Sequence, residues 1–120
     1  MRKVGQITSE VINTLGLNHS AGCPIYIGET NIAHMKDTHP VDYEKYGLQI
    51  EEIISNPDYV GLNPKDGSIE YVKEFLVERE YVKVAVRIAH SGKFYARSIY
   101  VLNTKRVQNF IRKGTLKRVL

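Results

Sequence analysis

The sequence has one cysteine, Cys23, among its 120 residues. No disulfide can form within the chain, and a reducing compartment fits that usage. Cys23 stands beside Pro24, just before an apolar run, and reads as a small buried residue rather than a reactive thiol. Tryptophan is absent and tyrosine numbers eight, a residue that serves cores, interfaces and active sites alike. No apolar stretch is long enough to span a bilayer. Residues 1–20 carry charged and polar groups throughout, unlike a secretory signal. The expectation is a cytoplasmic protein with no membrane partner. CxxC and HExxH are both missing, and His19, Cys23 and His90 are scattered. No metal site and no cofactor are therefore expected. Internal repeats and low-complexity segments are also missing.

The most informative absence is acid. Residues 81–120 contain ten Lys or Arg and no Asp or Glu, whereas residues 1–80 contain seven bases and thirteen acids. The net charge of +4 hides that asymmetry. The last bases are Lys105, Arg106, Arg112, Lys113, Lys117 and Arg118. A positive face on a roughly neutral body attracts phosphate backbones or anionic partners. For the last few residues a solvated tail is the plainer alternative.

What is present suits one globular domain over residues 1–120, with residues 1–22 as an N-terminal helical extension. The hydrophobic fraction of 42% is too high for a disordered chain. Val4, Ile7, Val11, Ile12 and Leu15 fall at helical spacing, with Gly16 as a stop. Pro24–Ile27 reads as a short strand, which Pro24 limits to a strand start or an edge. ETNIAHMK can form about two helical turns, with Ile32 and Met35 on one face. A second helix follows over PVDYEKYGLQIEEII, with Pro40 in its first turn and Thr38 or His39 as the cap. Tyr43, Tyr46, Ile50, Ile53 and Ile54 mark its buried stripe, and Gly47 predicts an irregularity.

From residue 68 the period turns toward two. SIEYVKEFLV, EYVKVAVRIAH and KFYARSIYVL read as strands, with HSGK as a tight hairpin. NTKRVQNFIRKG reads as a short closing helix. The order predicts an α+β fold, with N-terminal helices packed on an antiparallel sheet and a short C-terminal helix. Hairpin register is left open. A two-residue Ser91-Gly92 turn places Val86 opposite Arg97 and Lys83 opposite Tyr100. One residue of slip exchanges the faces. In a regular strand Arg97 and Tyr100 point opposite ways, so they share a site only through a bulge, a strand end or a reach around an edge.

Two clusters can do chemistry. HMKDTHP holds His34, Lys36 and His39 within six positions. Histidine transfers protons near neutral pH, and lysine meets phosphate. His39 also stands at a helix start, where free N–H groups favour an anion and disfavour imidazolium. That suits His39 to the role of base. A structural or surface histidine is the plainer reading of His34 alone. YARSIY supplies Arg97, Ser98 and Tyr100, beside Lys83 and Arg87 on the neighbouring strand. Arginine grips phosphate with two parallel bonds, and tyrosine stacks a base. The plainer alternative makes Tyr100 core and Arg97 a solvated sheet residue.

Three ordered segments carry a resemblance: IYIGETNIAHMKDTHP, EEIISNPDYVGLNPKDGSIEYVKEF and VKVAVRIAHSGKFYARSIYVLNTKRVQNFIRKGTL. Together they resemble the phage branch, third type, of the barnase/EndoU/colicin E5–D/RelE-like nucleases, over nearly the whole chain from about residue 23. The resemblance implies a helical N-terminal part on a four-stranded antiparallel β-sheet. It implies metal-independent endoribonuclease activity, by 2'-hydroxyl attack that leaves a 2',3'-cyclic phosphate, in a phage- or mobile-element-borne, toxin-like protein. The implied partners are RNA, with tRNA among the candidates, and an antitoxin or immunity protein. The implied catalytic positions hold His34, His39, Arg97 and Tyr100, with Lys36, Ser98, Lys83 and Arg87 binding substrate. The acid and base roles of the two histidines can exchange. A non-catalytic RNA- or protein-binding protein on the same fold is the rival expectation.

Overall fold

The structure is a computed structural model that describes residues 1–119. Seven strands form one sheet. In chain order the elements are β1 (Arg2–Gln6), α1 (Ser9–Leu15), β2 (Pro24–Ile27), α2 (Glu29–Thr38), α3 (Pro40–Tyr46), a 3-10 turn (Gly47–Gln49) and α4 (Ile50–Ser55). Then come β3 (Tyr59–Leu62), β4 (Ile69–Phe75), β5 (Glu80–Ile88), β6 (Phe94–Leu102), α5 (Thr104–Lys113) and β7 (Leu116–Arg118). The sheet order is β1-β2-β6-β5-β4-β3-β7, antiparallel except where β2 meets β6 in parallel.

The α+β class holds, but the four-stranded antiparallel sheet does not: the sheet has seven strands and is mixed. The central β4-β5-β6 meander is the alternating region of the sequence, and the departures flank it. β1 occupies part of the segment expected to be helical. Val4 and Ile7 reach the core from extended backbone, and the helix starts only after Thr8, whose Oγ1 accepts the Val11 amide at 3.3 Å. Helical spacing was therefore satisfied by a strand followed by a helix. Strand β7 pairs with β3 across a long stretch of chain, which no local signal marks, whereas β3 also pairs with the adjacent β4 through the residue 63–68 turn. Gly61 in β3 permits that pairing, since a Cβ there would lie 2.6 Å from the Thr115 carbonyl oxygen. The parallel β2–β6 pair joins segments separated by most of the fold, which periodicity does not report.

One face of the sheet buries Val60, Tyr71, Val82, Val84, Val86, Ala96 and Ile99. Helices α1 to α4 cover it with Val11, Met35, Tyr46, Ile50, Ile53 and Ile54, in one continuous core. Gly47 interrupts the expected long helix, leaving α3 and α4 on either side of the 3-10 turn. The opposite face is covered only at one end. There Val107 of α5 packs on Val72 and Leu116 in a second, smaller core. The rest of that second face carries polar and aromatic side chains.

Candidate functional site

The β5–β6 hairpin uses both possible registers. Lys83 lies opposite Tyr100, Val84 opposite Ile99 and Ala85 opposite Ser98. Val86 then lies opposite Ala96, so Arg97 is an extra residue, a β-bulge. The hairpin loop has room for the shift, because Gly92 adopts φ 86°, the left-handed region that glycine tolerates. The consequence is geometric. Lys83, Ala85 and Arg87 project from one face of β5, and their partners Tyr100, Ser98 and Tyr95 share it. Arg97 joins them, lining a cavity with Arg87 and Tyr95. The bulge thus places Arg97 and Tyr100 together on the face opposite helices α1 to α4, while Ala96 and Ile99 stay in the core.

His39 reaches this face around the sheet edge. β2 pairs with β6 only at Phe94 and Tyr95, which leaves the later half of β6 open on that side. The α2–α3 junction fills the gap, and the Val101 amide donates to Asp42 Oδ2 of α3 at 3.1 Å. The His39 ring then stacks on Tyr100, with centroids 4.9 Å apart and planes 24° from parallel. Pro40 opens α3 as the sequence suggests, yet the His39 side chain makes no capping hydrogen bond. Its imidazole is left to the tyrosine.

Lys83 meets the same ring, its Nζ 4.5 Å from the Tyr100 centroid. It also donates to Glu70 Oε2 at 2.8 Å, and both side chains are only 12% exposed. Burial disfavours the ammonium, but hydrogen bonds to Glu70 and Tyr100 outweigh it and hold the Lys83 pKa above the usual lysine value. Lys83 is therefore a fixed cation. Arg87 stands 3.7 Å from Asp66 in a half-exposed ion pair.

The open face carries two cavities. One, of about 420 Å³, includes Gly28, Asn31, Arg87, Tyr95 and Arg97 in its wall. The other, of about 500 Å³, includes Glu70, Lys83, Tyr100, Arg106, Phe110 and Lys113. His39, Tyr100 and Lys83 are thus in mutual contact through the tyrosine, with Arg87 and Arg97 further along the strands. Ser98 lies on the same face, half-buried. His34 and Lys36 are elsewhere. His34 is exposed on α2, where its carbonyl accepts the Thr38 hydroxyl at 2.8 Å. The Lys36 ammonium sits 5.6 Å from the Tyr43 ring centroid. Neither side chain lines either cavity or touches Tyr100; His39 and Ser98 also lie outside the cavity walls, His39 reaching the site only through its stack on Tyr100.

Sequence reasoning missed Glu70, Arg106, Phe110 and Lys113 as members of the site, although Arg106 and Lys113 belong to the expected basic face. The last three were findable, since they follow an i, i+4, i+7 pattern on one stripe of α5. Glu70 was not, because a lone acid in a strand signals nothing until Lys83, diagonal to it on the neighbouring strand, is seen to reach it. Among the described residues no group of three or more His, Cys, Asp or Glu could hold a metal ion. None of the described helices is long and apolar enough to cross a membrane.

A sequence model of one protein family, described as phage-Barnase-EndoU-ColicinE5/D-RelE like nuclease3, matches residues 2–109. No curated protein and no solved structure matches the chain.

Proposed function

Because the chain belongs to the phage-Barnase-EndoU-ColicinE5/D-RelE like nuclease3 family, we propose that it is a metal-independent endoribonuclease whose substrate lies across the open sheet face. The observation that supports this most is the Arg97 bulge, which turns a strand into a one-sided row of cations and tyrosines beside His39. In this reading His39 takes the proton from the 2'-hydroxyl. The 2'-oxygen forms a bond to the adjacent phosphorus, and the P–O5' bond breaks to leave a 2',3'-cyclic phosphate. Charge gathers on the non-bridging oxygens in the transition state. Lys83, held in place by Glu70, and the exposed Arg97 meet it as cations. The leaving O5' needs a proton. Tyr100, in contact with both His39 and Lys83, is nearer the chemistry than exposed His34 and is assigned that role. Arg87, Ser98 and Lys36 bind flanking RNA.

A toxin-like role in the cytoplasm of a phage host, restrained by an antitoxin or immunity protein, goes with this activity. The test is incubation of the purified protein with cellular RNA in EDTA, with the product ends analysed. Cyclic phosphate ends that vanish in His39→Ala are expected, and intact RNA would remove the reading. Non-catalytic RNA binding on the same face is the second reading. It is favoured by one observation: neither His34 nor His39 lines either cavity. Under it RNA is bound and recovered uncut.

A further inference from the structure

The cavity of about 500 Å³ between the open face and α5 extends well beyond the groups used above. Its size falls within the range of small-ligand sites. One wall is Tyr100, the ring on which His39 stacks, so the cavity begins where the proposed reaction takes place. The far wall is the α5 stripe of Arg106, Phe110 and Lys113.

Three features give it a chemical character. First, its charge is positive and available. Lys83 is already paired with Glu70, but Arg106 and Lys113 form no ion pair among the described residues. Second, it offers a flat aromatic surface, with the Arg106 guanidinium 5.8 Å from the Phe110 ring centroid. Arginine and aromatic faces together stack unpaired bases. Third, Glu70 is half used. Its Oε2 accepts from Lys83 at 2.8 Å and from Asn63 at 3.5 Å, while Oε1 accepts no hydrogen bond from the described residues. A nucleobase N–H fits an acceptor in that position, and a phosphate does not.

We propose that this cavity holds one nucleotide of single-stranded RNA next to the scissile phosphate, its base between Phe110 and Tyr100 with an N–H on Glu70, and its phosphate on Arg106 and Lys113. The proposal rests on the ribonuclease reading for the class of ligand. It adds a subsite built by α5, an element that reading does not use. An unpaired base is required, because the edge given to Glu70 is the edge a duplex would occupy.

The test uses the full chain and a fluorescent RNA tetranucleotide with 2'-O-methyl groups, which binds but cannot be cut by 2'-hydroxyl attack. The comparison is with Arg106→Ala/Lys113→Ala, two exposed α5 positions outside both cores. Binding should weaken by about tenfold or more in the double variant. Its salt slope should fall by about 0.7, the value for one lost phosphate on a single strand. Amide shifts on adding the tetranucleotide should include residues 63–70 and 100–116. Unchanged affinity and slope in the double variant would overturn the proposal. So would shifts confined to the surroundings of Arg87 and Arg97, or no binding to the parent at millimolar concentration. The two readings fail separately. Binding in this cavity with unmodified RNA left uncut sinks only the ribonuclease. Cleavage of unmodified RNA with parental KM in the double variant sinks only the subsite.

Discussion

At the scale of single residues, Tyr100 is the hinge of the site. One ring carries His39 in a stack and the Lys83 ammonium at 4.5 Å, and it walls the larger cavity. His39→Ala should lose about 10²- to 10⁴-fold in cleavage rate if it is the base, with circular dichroism confirming the fold. Tyr100→Phe separates two proton donors, since it keeps the ring and removes the hydroxyl. If Tyr100 protonates O5', Tyr100→Phe should lose a comparable factor while His34→Ala stays within about twofold of the parent. The reverse pattern returns the acid role to His34. Steady-state rates across pH on the three variants read both outcomes.

At the scale of elements, the bulge in β6 looks dispensable to folding and indispensable to the site. Ala96 pairs with Val86 and Ser98 with Ala85, so removing Arg97 leaves two regular strands with every other side chain on its present face. Deletion of Arg97 should therefore preserve the cooperative thermal transition, within a few degrees of the parent, and abolish or cripple RNA cleavage. A deletion variant that fails to fold would mean the bulge also sets the sheet twist. A second element-scale device ties α3 to the start of β5. Glu80 accepts from Lys45 and, at 2.6 Å, from Tyr46. The Lys45 hydrogen bond, and then the Tyr46 one, hold the Glu80 carboxyl below the usual glutamate range. A folded pKa below the unfolded one gives stability that is complete above the unfolded value, about 4.3, and lost as pH falls through the folded value. Glu80→Gln should thus melt lower than the parent at neutral pH, with the gap closing below about pH 4. A gap independent of pH would assign the effect to packing.

At the scale of the whole molecule, cations of the acid-free last third of the chain gather on one side of the sheet. Lys83, Arg87 and Arg97 come from β5 and β6, and Arg106 and Lys113 from α5. Four residues of strand separate Lys83 from Arg87, about 13 Å at 3.3 Å per residue, so the two cavities are spaced for a short single strand rather than one nucleotide. Of the acids in residues 1–80, Asp66 and Glu70 share that side, paired with Arg87 and Lys83. Glu51 and Glu52 lie on α4, behind the sheet, where they pair with Arg2 and Lys73. RNA affinity should therefore fall steeply between low and near-physiological salt, since bound phosphates displace counterions. Fluorescence anisotropy at four or five salt concentrations gives the slope. A flat response would point to a neutral or apolar ligand and remove the open face as an RNA surface.

Much of this was determined by the sequence alone. Alternation in residues 69–102 dictates a meander because period-two patterning can bury one face only as strands. The Tyr46, Ile50, Ile53 and Ile54 stripe dictates the helices over it. The charge asymmetry dictates a basic surface, and the three segment motifs carry the family. Other features are non-local and were decided only in three dimensions. β1 and β7 are strands because partners distant in the chain accept their backbone groups, and β2 runs parallel to β6 through such a pairing. No window of sequence contains both partners. The site follows the same logic. His34 and His39 are close in sequence, but only His39 stands at the helix junction that covers the open edge of β6, so only His39 reaches Tyr100. Arg97 shares a face with Tyr100 because a single extra residue is absorbed opposite Val86. Alternation by itself puts the two side chains on opposite faces, and the pairing of the hairpin overrules it because Ala96 and Ile99 must both stay buried.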